Sequence, residues 1–329
     1  MSYRPTSACG TGCLPRMSTL PRVSFPVQVG RVLALAAVMV GGVGVALAVP
    51  VLSAGGRARA IRGWFRAVVA ASGARLQLTG SPERSGTTGG TPSAERTGTT
   101  GGTPSADLTG TDGAALIAST HVSWLDIPAL LAMQPMRVLA KSDVRGWPVI
   151  GIMAARGGTL FIDRNRLRRL PATVAEIAGV LRGGETVLVF PEGSTWCGRT
   201  GGRFYPATLQ SAIDAGVPVR PVAVRYLLAD GSPTTVAAWV GDDTLLASVW
   251  RIAGTRGLTV EVEPGTLVDT AASTRREVAA EVARHAKAHT ANVATVHPEV
   301  LAPVRAKRGD ADHDGVLAPA LRRGRSSVA

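Results

Sequence analysis

An uncharged apolar run of 22 residues, from Val32 to Ser53, restricts the folds open to this chain more than any other feature of its sequence. About 20 apolar residues in a helix cover the hydrocarbon core of a bilayer, so the run predicts a membrane-associated helix. Basic residues flank both of its ends, and the positive-inside rule therefore leaves its orientation open. A spanning helix and a half-inserted hairpin with both ends in the cytoplasm are both consistent with this pattern. A cleaved signal peptide fits less well, because the run begins some thirty residues into the chain.

Composition divides the chain into four parts. Residues 1–30 contain arginine, no acidic residue and no hydrophobic periodicity, which predicts a disordered basic leader. Residues 31–74 form the membrane-associated helical segment, whose second half mixes Trp, Phe and Arg as interfacial helices do. Residues 75–290 form the main domain, and residues 291–329 a disordered tail. Within the domain, a twelve-residue unit rich in Gly, Thr and Ser is duplicated at 83–106; it cannot bury a core and predicts a flexible surface insertion.

From Ala114 onward, apolar strands alternate with amphipathic helices. This alternation is typical of an α/β fold, a mixed sheet flanked by helices. The pattern places strands near 114–119, 136–140, 158–162, 186–190, 219–225 and 258–262, and helices after Asp126, at 167–182 and after Thr274.

The charge and the cysteines limit the classes of partner. A formal net charge of +13 favours anionic partners. Nucleic acid is not among those we expect, because the chain shows neither a basic strip interleaved with aromatic residues nor a helix-turn-helix pattern. Three cysteines, Cys9, Cys13 and Cys197, are too few for a disulfide scaffold. Neither His nor a further Cys stands near the first two in sequence, so we predict no metal site.

Four short blocks combine turn residues with reactive side chains. In the first, His121 follows an apolar strand, and Asp126 opens the next helix. If His121 lies in the turn, the carboxylate can hold one ring N–H and leave the other nitrogen as a general base. A capping Asp beside a structural His is the alternative that this block leaves open.

The other three blocks also place polar groups after strands. GTLFIDR ends at Arg164, whose guanidinium suits a phosphate if it lies at the carboxyl edge of the sheet, although a surface Asp–Arg pair would look the same. VLVFPEGST leads a buried strand into a tight turn at Glu192 and Gly193. VPVRPVAV is a loop followed by a strand, with Arg220 in an otherwise apolar setting; its side chain could reach substrate or face solvent.

Taken together and in this order, the blocks HVSWLD, GTLFIDR, FPEGST and VPVRPVAV closely resemble the glycerolipid acyltransferase superfamily, and within it the bacterial 1-acylglycerol-3-phosphate acyltransferases. The resemblance covers residues 75 to 265. Thr120 departs from the family, which often has Asn before the histidine.

The resemblance implies a role for each site residue. His121 would accept the proton of the acceptor hydroxyl, and Asp126 would orient the imidazole. Arg164 would hold the acceptor phosphate, while Glu192 and Gly193 would position its glycerol part. Lys141, one of three lysines, is a candidate for a second phosphate contact or a solvated surface residue. Arg199 and Arg203 are weaker candidates. Ser123 is no nucleophile, because the family uses none.

The resemblance also implies partners and a location. The donor would be acyl-CoA or acyl carrier protein, and the acceptor 1-acyl-sn-glycerol-3-phosphate, giving phosphatidic acid in phospholipid biosynthesis. Another acceptor, such as a lyso-ornithine lipid, another lysophospholipid or glycerol-3-phosphate, is the alternative. No cofactor is expected. The enzyme would lie on the cytoplasmic membrane with its active site facing the cytosol.

Overall fold

The fold was obtained as a computed structural model, which describes residues 5–80, 108–110, 113–147 and 149–296. The predicted insertion at 83–106 lies outside the described residues, as does the part of the predicted tail from residue 297 onward; residues 291–296, which were also assigned to the tail, are helical.

The centre of the molecule is one seven-stranded sheet in the order β1-β7-β6-β2-β5-β3-β4. The five strands from β6 to β4 in this order run parallel, whereas β7 is antiparallel to β6 and parallel to β1. The mixed α/β sheet expected from the sequence is thus confirmed. The strands are β1 (Arg75–Leu78), β2 (Leu116–Ser119), β3 (Arg137–Lys141), β4 (Leu160–Ile162), β5 (Val187–Val189), β6 (Val219–Leu227) and β7 (Thr259–Pro264).

Helices cover both faces of this sheet. They are α1 (Phe25–Ala48), α2 (Ala54–Ala71), α3 (Asp126–Met133), α4 (Ile150–Arg156), α5 (Leu170–Arg182), α6 (Gln210–Ala215), α7 (Leu245–Gly254) and α8 (Arg275–Val296). Because successive strand side chains point to opposite faces, Ile117 packs into the core beneath α2 and α3, and Leu116 into the core beneath α5, α6 and α8. The predicted cap of α8 is present as a capping box, in which Thr274 and Glu277 bond to each other.

The apolar run forms α1, which begins at Phe25, seven residues earlier than the run itself. Pro26 stands in its first turn, where a proline's fixed φ favours a helix. Together with a short turn at Val49–Val51, this helix is long and apolar enough to cross a membrane, with a mean hydropathy of 2.6. Only 11% of its most apolar stretch is buried inside the protein. After the turn, α2 runs antiparallel to α1 and leads back to the main domain.

One contact of α1 holds it against α2, and another holds it against the α/β domain. Trp64 of α2 donates its indole N–H to the carbonyl oxygen of Val38, and its ring lies where a side chain at Gly42 would be. At the start of α1, Arg31 donates to the carbonyl oxygens of Ala253 and Thr255 at the end of α7. The start of α1 is therefore attached to the α/β domain, and the end of α2 leads directly into β1 of the same domain.

The leader differs from its prediction as a disordered segment. Residues 5–24 contain two short 3-10 turns, Thr11–Cys13 and Met17–Thr19, and Arg22 forms a bridge with Thr255. Residues 25–30 already belong to α1. Backbone hydrogen bonds from Val23 to Gly254 and from Arg256 to Pro21 hold the leader against residues far away in sequence, and no local pattern reveals such bonds.

Candidate active site

The predicted site residues meet at one edge of the sheet. Since β2 to β6 run in the same direction, their carboxyl ends lie side by side, and open α/β sheets bind ligands at that edge. A cavity of about 920 Å³ opens there, and its lining includes four of the six predicted site residues, His121, Lys141, Arg164 and Gly193. The remaining two, Asp126 and Glu192, are buried behind it.

His121 and Asp126 make the contact that the first block allows if His121 lies in the turn. His121 lies in the turn after β2, and Asp126 begins α3. The Nδ1 atom of His121 is 2.9 Å from Oδ2 of Asp126, and the side chains are 18% and 0% exposed, respectively. A hydrogen bond from Nδ1–H to the carboxylate fixes the tautomer and leaves Nε2 able to take up a proton.

Besides His121, three further groups hold the carboxylate of Asp126. Its Oδ2 also accepts the backbone N–H groups of Val122 and Ser123, at 2.7 and 2.8 Å. Its Oδ1 accepts the hydroxyl of Tyr226 on β6, a residue that the sequence analysis missed. Burial, together with the Asp126 charge, raises the pKa of Tyr226 well above its usual value. Tyr226 therefore stays a protonated donor and holds the carboxylate in place.

A signal for Tyr226 existed but was incomplete. Residues 222, 224 and 226 occupy every second position along β6, so their side chains point to the same face of the sheet. All three are buried in the core beneath α3. The alternation indicates that Tyr226 faces inward. Only the pairing of β6 with β2 brings its hydroxyl to Asp126.

The turn that carries His121 is fixed on several sides. The ring of Phe190 stacks on the imidazole, with centroids 4.0 Å apart and 19° between the planes. The carbonyl oxygen of His121 accepts the backbone N–H of Trp196 at 2.8 Å. Thr120, at the family's usual Asn position, accepts the N–H of Val224 through its hydroxyl. Its side chain thus ties the turn to β6.

For Glu192 the sequence predicts a substrate contact, but the structure gives it a different position. Its buried carboxylate accepts the backbone N–H of His121 at 2.9 Å through Oε2 and that of Gly202 at 2.7 Å through Oε1. Desolvation raises the pKa of Glu192 to about 7, although both N–H donors oppose this shift. Glu192 is therefore placed to hold the histidine turn rather than to touch a ligand.

The cationic residues lie on the rim of the cavity. Arg164, on the loop after β4, donates to the carbonyl oxygen of Gly193. Gly193 has a φ of +70°, a left-handed conformation that glycine adopts without strain. Lys141 ends β3; its side chain is 45% exposed and lies 3.6 Å from Asp143. Both cations line the cavity and could meet an anionic head group.

The other arginines considered from sequence have structural surroundings. Arg220 is fully buried, and its guanidinium donates to the carbonyl oxygens of Thr109 and Gly265. The sequence left open whether Arg220 reaches substrate or solvent, and in the structure it reaches neither. Arg199 donates to the carbonyl oxygen of Cys13, and Arg203 lies over the ring of Tyr205.

Much of the cavity lining is apolar. The apolar part comes from α1, α2 and α4, through side chains such as Leu35, Phe65 and Met153. One continuous space is thus lined by the imidazole of His121, by the cations Lys141, Arg156 and Arg164, and by hydrocarbon. That combination matches a molecule with a polar head and a long apolar chain.

Comparison with known proteins agrees with this geometry. Residues 103–225 match the family model Acyltransferase. The chain is 38% identical over 161 residues to a 1-acyl-sn-glycerol-3-phosphate acyltransferase of Neisseria gonorrhoeae, covering 49% of this chain and 63% of that protein. It is 42% identical over 145 residues to a lyso-ornithine lipid O-acyltransferase of Pseudomonas aeruginosa, covering 43% and 55%. The chain thus covers less than two thirds of either relative.

A solved structure shares the fold. The 1-acyl-sn-glycerophosphate acyltransferase of Thermotoga maritima superposes with a TM-score of 0.57 at 17% identity. The alignment covers 82% of this chain and 95% of that one.

Proposed function

Because the chain belongs to the glycerolipid acyltransferase superfamily, we propose that it transfers an acyl chain from a thioester to the free hydroxyl of a lysophospholipid. The proposed acceptor is 1-acyl-sn-glycerol-3-phosphate, and the product is phosphatidic acid. One observation carries the proposal: the His121–Asp126 pair lies on a cavity whose lining combines cationic and apolar side chains.

The pair can carry out the proton transfers of this reaction. Nε2 of His121 takes the proton as the acceptor oxygen attacks the thioester carbon, and Asp126 stabilises the imidazolium that forms. When the tetrahedral intermediate collapses, the C–S bond breaks, and the imidazolium returns its proton to the leaving thiolate. No covalent acyl-enzyme is needed. Acyl-CoA and acyl carrier protein both provide such a thioester.

The remaining site residues act by orientation. Arg164 and Lys141 line the rim of the cavity and bind the acceptor phosphate, which a guanidinium can hold through two hydrogen bonds. Gly193, beside Arg164, lets the backbone approach the glycerol part. Glu192 is a positioning residue, because it acts through the backbone of His121. Placing the hydroxyl and the base together can account for much of the rate.

The active site lies at a membrane in this proposal. Large apolar side chains are exposed on three elements that surround the cavity, α1, α4 and α7; they include Phe25, Leu33, Val40, Leu47, Ile152, Leu246 and Trp250. Both ends of the α1–α2 pair attach to the same domain, which favours a half-inserted hairpin over a spanning helix. The location is then the cytoplasmic face of the membrane, where acyl thioesters are made.

The membrane proposal has a direct test. We expect the full chain to sediment with membranes and to be released by detergent. A version lacking residues 1–74 should leave the membrane or aggregate. A full-length chain that is soluble and monomeric without detergent would contradict this placement.

A second acceptor, a lyso-ornithine lipid, has support of its own. The Pseudomonas aeruginosa relative, named as a lyso-ornithine lipid O-acyltransferase, has the higher identity, 42% against 38% for the Neisseria gonorrhoeae relative. Such a lipid also has a free hydroxyl and an apolar chain, but it has no phosphate for Arg164 to bind.

The deciding experiment is an acyltransfer assay on the purified full-length chain in detergent. Labelled acyl-CoA and labelled acyl carrier protein are each offered with 1-acyl-sn-glycerol-3-phosphate, a lyso-ornithine lipid and glycerol-3-phosphate. We expect labelled phosphatidic acid to form fastest, with the His121→Ala variant as the inactive control. Faster acylation of the lyso-ornithine lipid would support the second acceptor. Acyl transfer to none of the acceptors would overturn the proposal.

A further inference from the structure

Three sulfur atoms meet beside the active site, although the sequence predicts no metal site there. Cys9 and Cys13 come from the leader, and Cys197 from the loop after β5. All three cysteines are free and buried, and their Sγ atoms lie within 4.8 Å of one another. They are the only cysteines of the chain. The long separation of Cys197 in sequence hid this cluster from a search for neighbouring ligands.

The backbone around the sulfurs has the form of a ligand turn. Two metal-binding cysteines commonly stand two to four residues apart, and Cys9 and Cys13 have three residues between them. The chain turns between them through the N–H of Cys13, which donates to the carbonyl oxygen of Gly10 at 2.9 Å. On the other side, the backbone N–H groups of Arg199 and Thr200 contact the sulfur of Cys197.

The distances fit one ion among the three sulfurs. Tetrahedral Zn²⁺ with Zn–S bonds of about 2.3 Å requires sulfur atoms about 3.8 Å apart, so the cluster needs to contract by roughly 1 Å at most. The hydroxyl of Thr200, 3.7 Å from the sulfur of Cys9 and 3.8 Å from that of Cys197, lies against the same group. A disulfide would use only two sulfurs and leave the third buried beside it.

Charge and access are also suitable. Zn²⁺ with three thiolates carries one net negative charge, and Arg199 bonds to the carbonyl oxygen of Cys13 next to it at 2.9 Å. A second cavity, of about 260 Å³, has Cys13, Cys197, Arg199 and Arg225 in its lining. It gives an ion a route to the sulfurs and space for a water as the fourth ligand.

We propose that Cys9, Cys13 and Cys197 form a three-thiolate site for a thiophilic metal ion, Zn²⁺ in the first place, which fastens the leader to the loop after β5. The consequence reaches the active-site cavity. Pro5 packs against Gly193, so closely that a Cβ on this glycine would lie 2.6 Å from Pro5 Cγ. Pro5, Thr6 and Ser7 line the large cavity beside His121. Metal binding thus holds part of the cavity wall in place.

Metal content tests the site without any assay of acyl transfer. The full-length chain is purified in detergent under reducing conditions without chelator, and zinc per chain is measured by elemental analysis. Co²⁺ is then titrated into the metal-free protein, where a thiolate-to-cobalt charge-transfer band reports sulfur ligation. We expect about one metal ion per chain and a clear band.

Single substitutions assign the ligands. Cys9→Ser, Cys13→Ser and Cys197→Ser should each weaken Co²⁺ binding by more than the roughly 10–100-fold that loss of an outer partner costs. Thr11→Ala, between the two leader cysteines, is the matched control and should bind as the wild type does. Because Cys197→Ser could disturb the loop after β5, Cys9→Ser in the leader provides the same test independently.

Hydrogen exchange tests the fastening. Removing the metal should speed exchange in residues 5–24 and leave the sheet unchanged. Wild-type protein without metal and without a cobalt band would overturn the site, as would Co²⁺ binding that Cys9→Ser leaves unchanged. A Cys9–Cys197 disulfide, detected as the loss of two hydrogens in the intact mass and assigned by peptide mapping, would replace the metal site with a redox pair. Unchanged leader exchange on metal removal would overturn the fastening.

Discussion

His121 and Arg164 line the same cavity at the same edge of the sheet, but the protein holds them in different ways. His121 is fixed by Asp126, by stacking on Phe190 and by backbone bonds to Glu192 and Trp196. The cations lie on the rim, where Arg164 bonds to a carbonyl oxygen on a loop and Lys141 pairs with an exposed Asp143.

The difference separates two tasks. Proton transfer needs atoms within hydrogen-bond distance at the right angle, so the base gains from a buried and fully bonded setting. A head group can be bound by long side chains that adapt to it. If the rigid region carries out the proton transfer and the rim residues bind the head group, related sites could change their rim residues and accept different lysolipids.

The sharpest test of the rigid region is His121→Ala. Loss of the general base should lower kcat by about 10² to 10⁴, with little change in the KM for the acceptor. Steady-state kinetics with 1-acyl-sn-glycerol-3-phosphate measure both constants, and circular dichroism checks the fold. Turnover at the wild-type rate would remove His121 from the mechanism.

Glu192→Gln probes the same region through stability. The pKa of Glu192 rises from an ordinary 4.5 to about 7 in the fold, so the folded protein holds this proton more tightly than the unfolded chain. The stabilisation is complete below pH 4.5 and is lost as the pH rises through about 7, a change of about 3 kcal/mol.

Denaturant unfolding at several pH values measures that slope. Relative to Glu192→Gln, in which residue 192 does not titrate, the free energy of unfolding of the wild type should fall from pH 4.5 to 7.5. Equal slopes in both proteins would show that Glu192 ionises in the fold as it does in the unfolded chain.

Arg164→Ala tests the rim. It removes a charge-assisted contact that ground state and transition state share, so the KM for the phosphorylated acceptor should rise about 10–100-fold while kcat changes little. Arg166→Ala, on the same loop with a side chain that is 64% exposed, is the matched control. An equal loss with phosphorylated and unphosphorylated acceptors would refute a phosphate contact.

Tyr226→Phe tests whether the buried hydroxyl that donates to Asp126 contributes to catalysis. Removing one hydrogen bond to a carboxylate costs about 1.5 kcal/mol, so kcat should fall about 10-fold. With one donor fewer, Asp126 acts more strongly on the imidazolium, and the acid limb of the pH–rate profile should move to higher pH. A lower unfolding free energy with an unchanged profile would leave Tyr226 a purely structural role.

The smallest effect is expected from the duplicated segment. Deleting residues 95–106, one of the two twelve-residue copies, shortens the connection from β1 to β2 and changes loop-closure entropy by less than about 1 kcal/mol. Acyl transfer should stay within a few-fold of the wild type. A complete loss of activity with the fold intact would mean that the segment touches substrate or a partner.

Local signals predicted much of this protein. Strand and helix patterns placed His121 in a turn and Asp126 at a helix start, and parallel strands then bring Lys141, Arg164 and Gly193 to the same edge. The apolar run predicted α1 apart from its first seven residues. Each of these inferences uses either the pattern of residues close together in sequence or the rule that the carboxyl ends of parallel strands lie at the same edge of a sheet.

Tertiary structure alone decided the partners that lie far apart in sequence. Tyr226 reaches Asp126 because β6 pairs with β2, and Glu192 reaches the backbone of His121 because β5 pairs with β2. Cys197 meets the leader only in the folded chain. The physical reason is that side-chain periodicity encodes which face of an element is buried, whereas strand order depends on the packing of the whole domain.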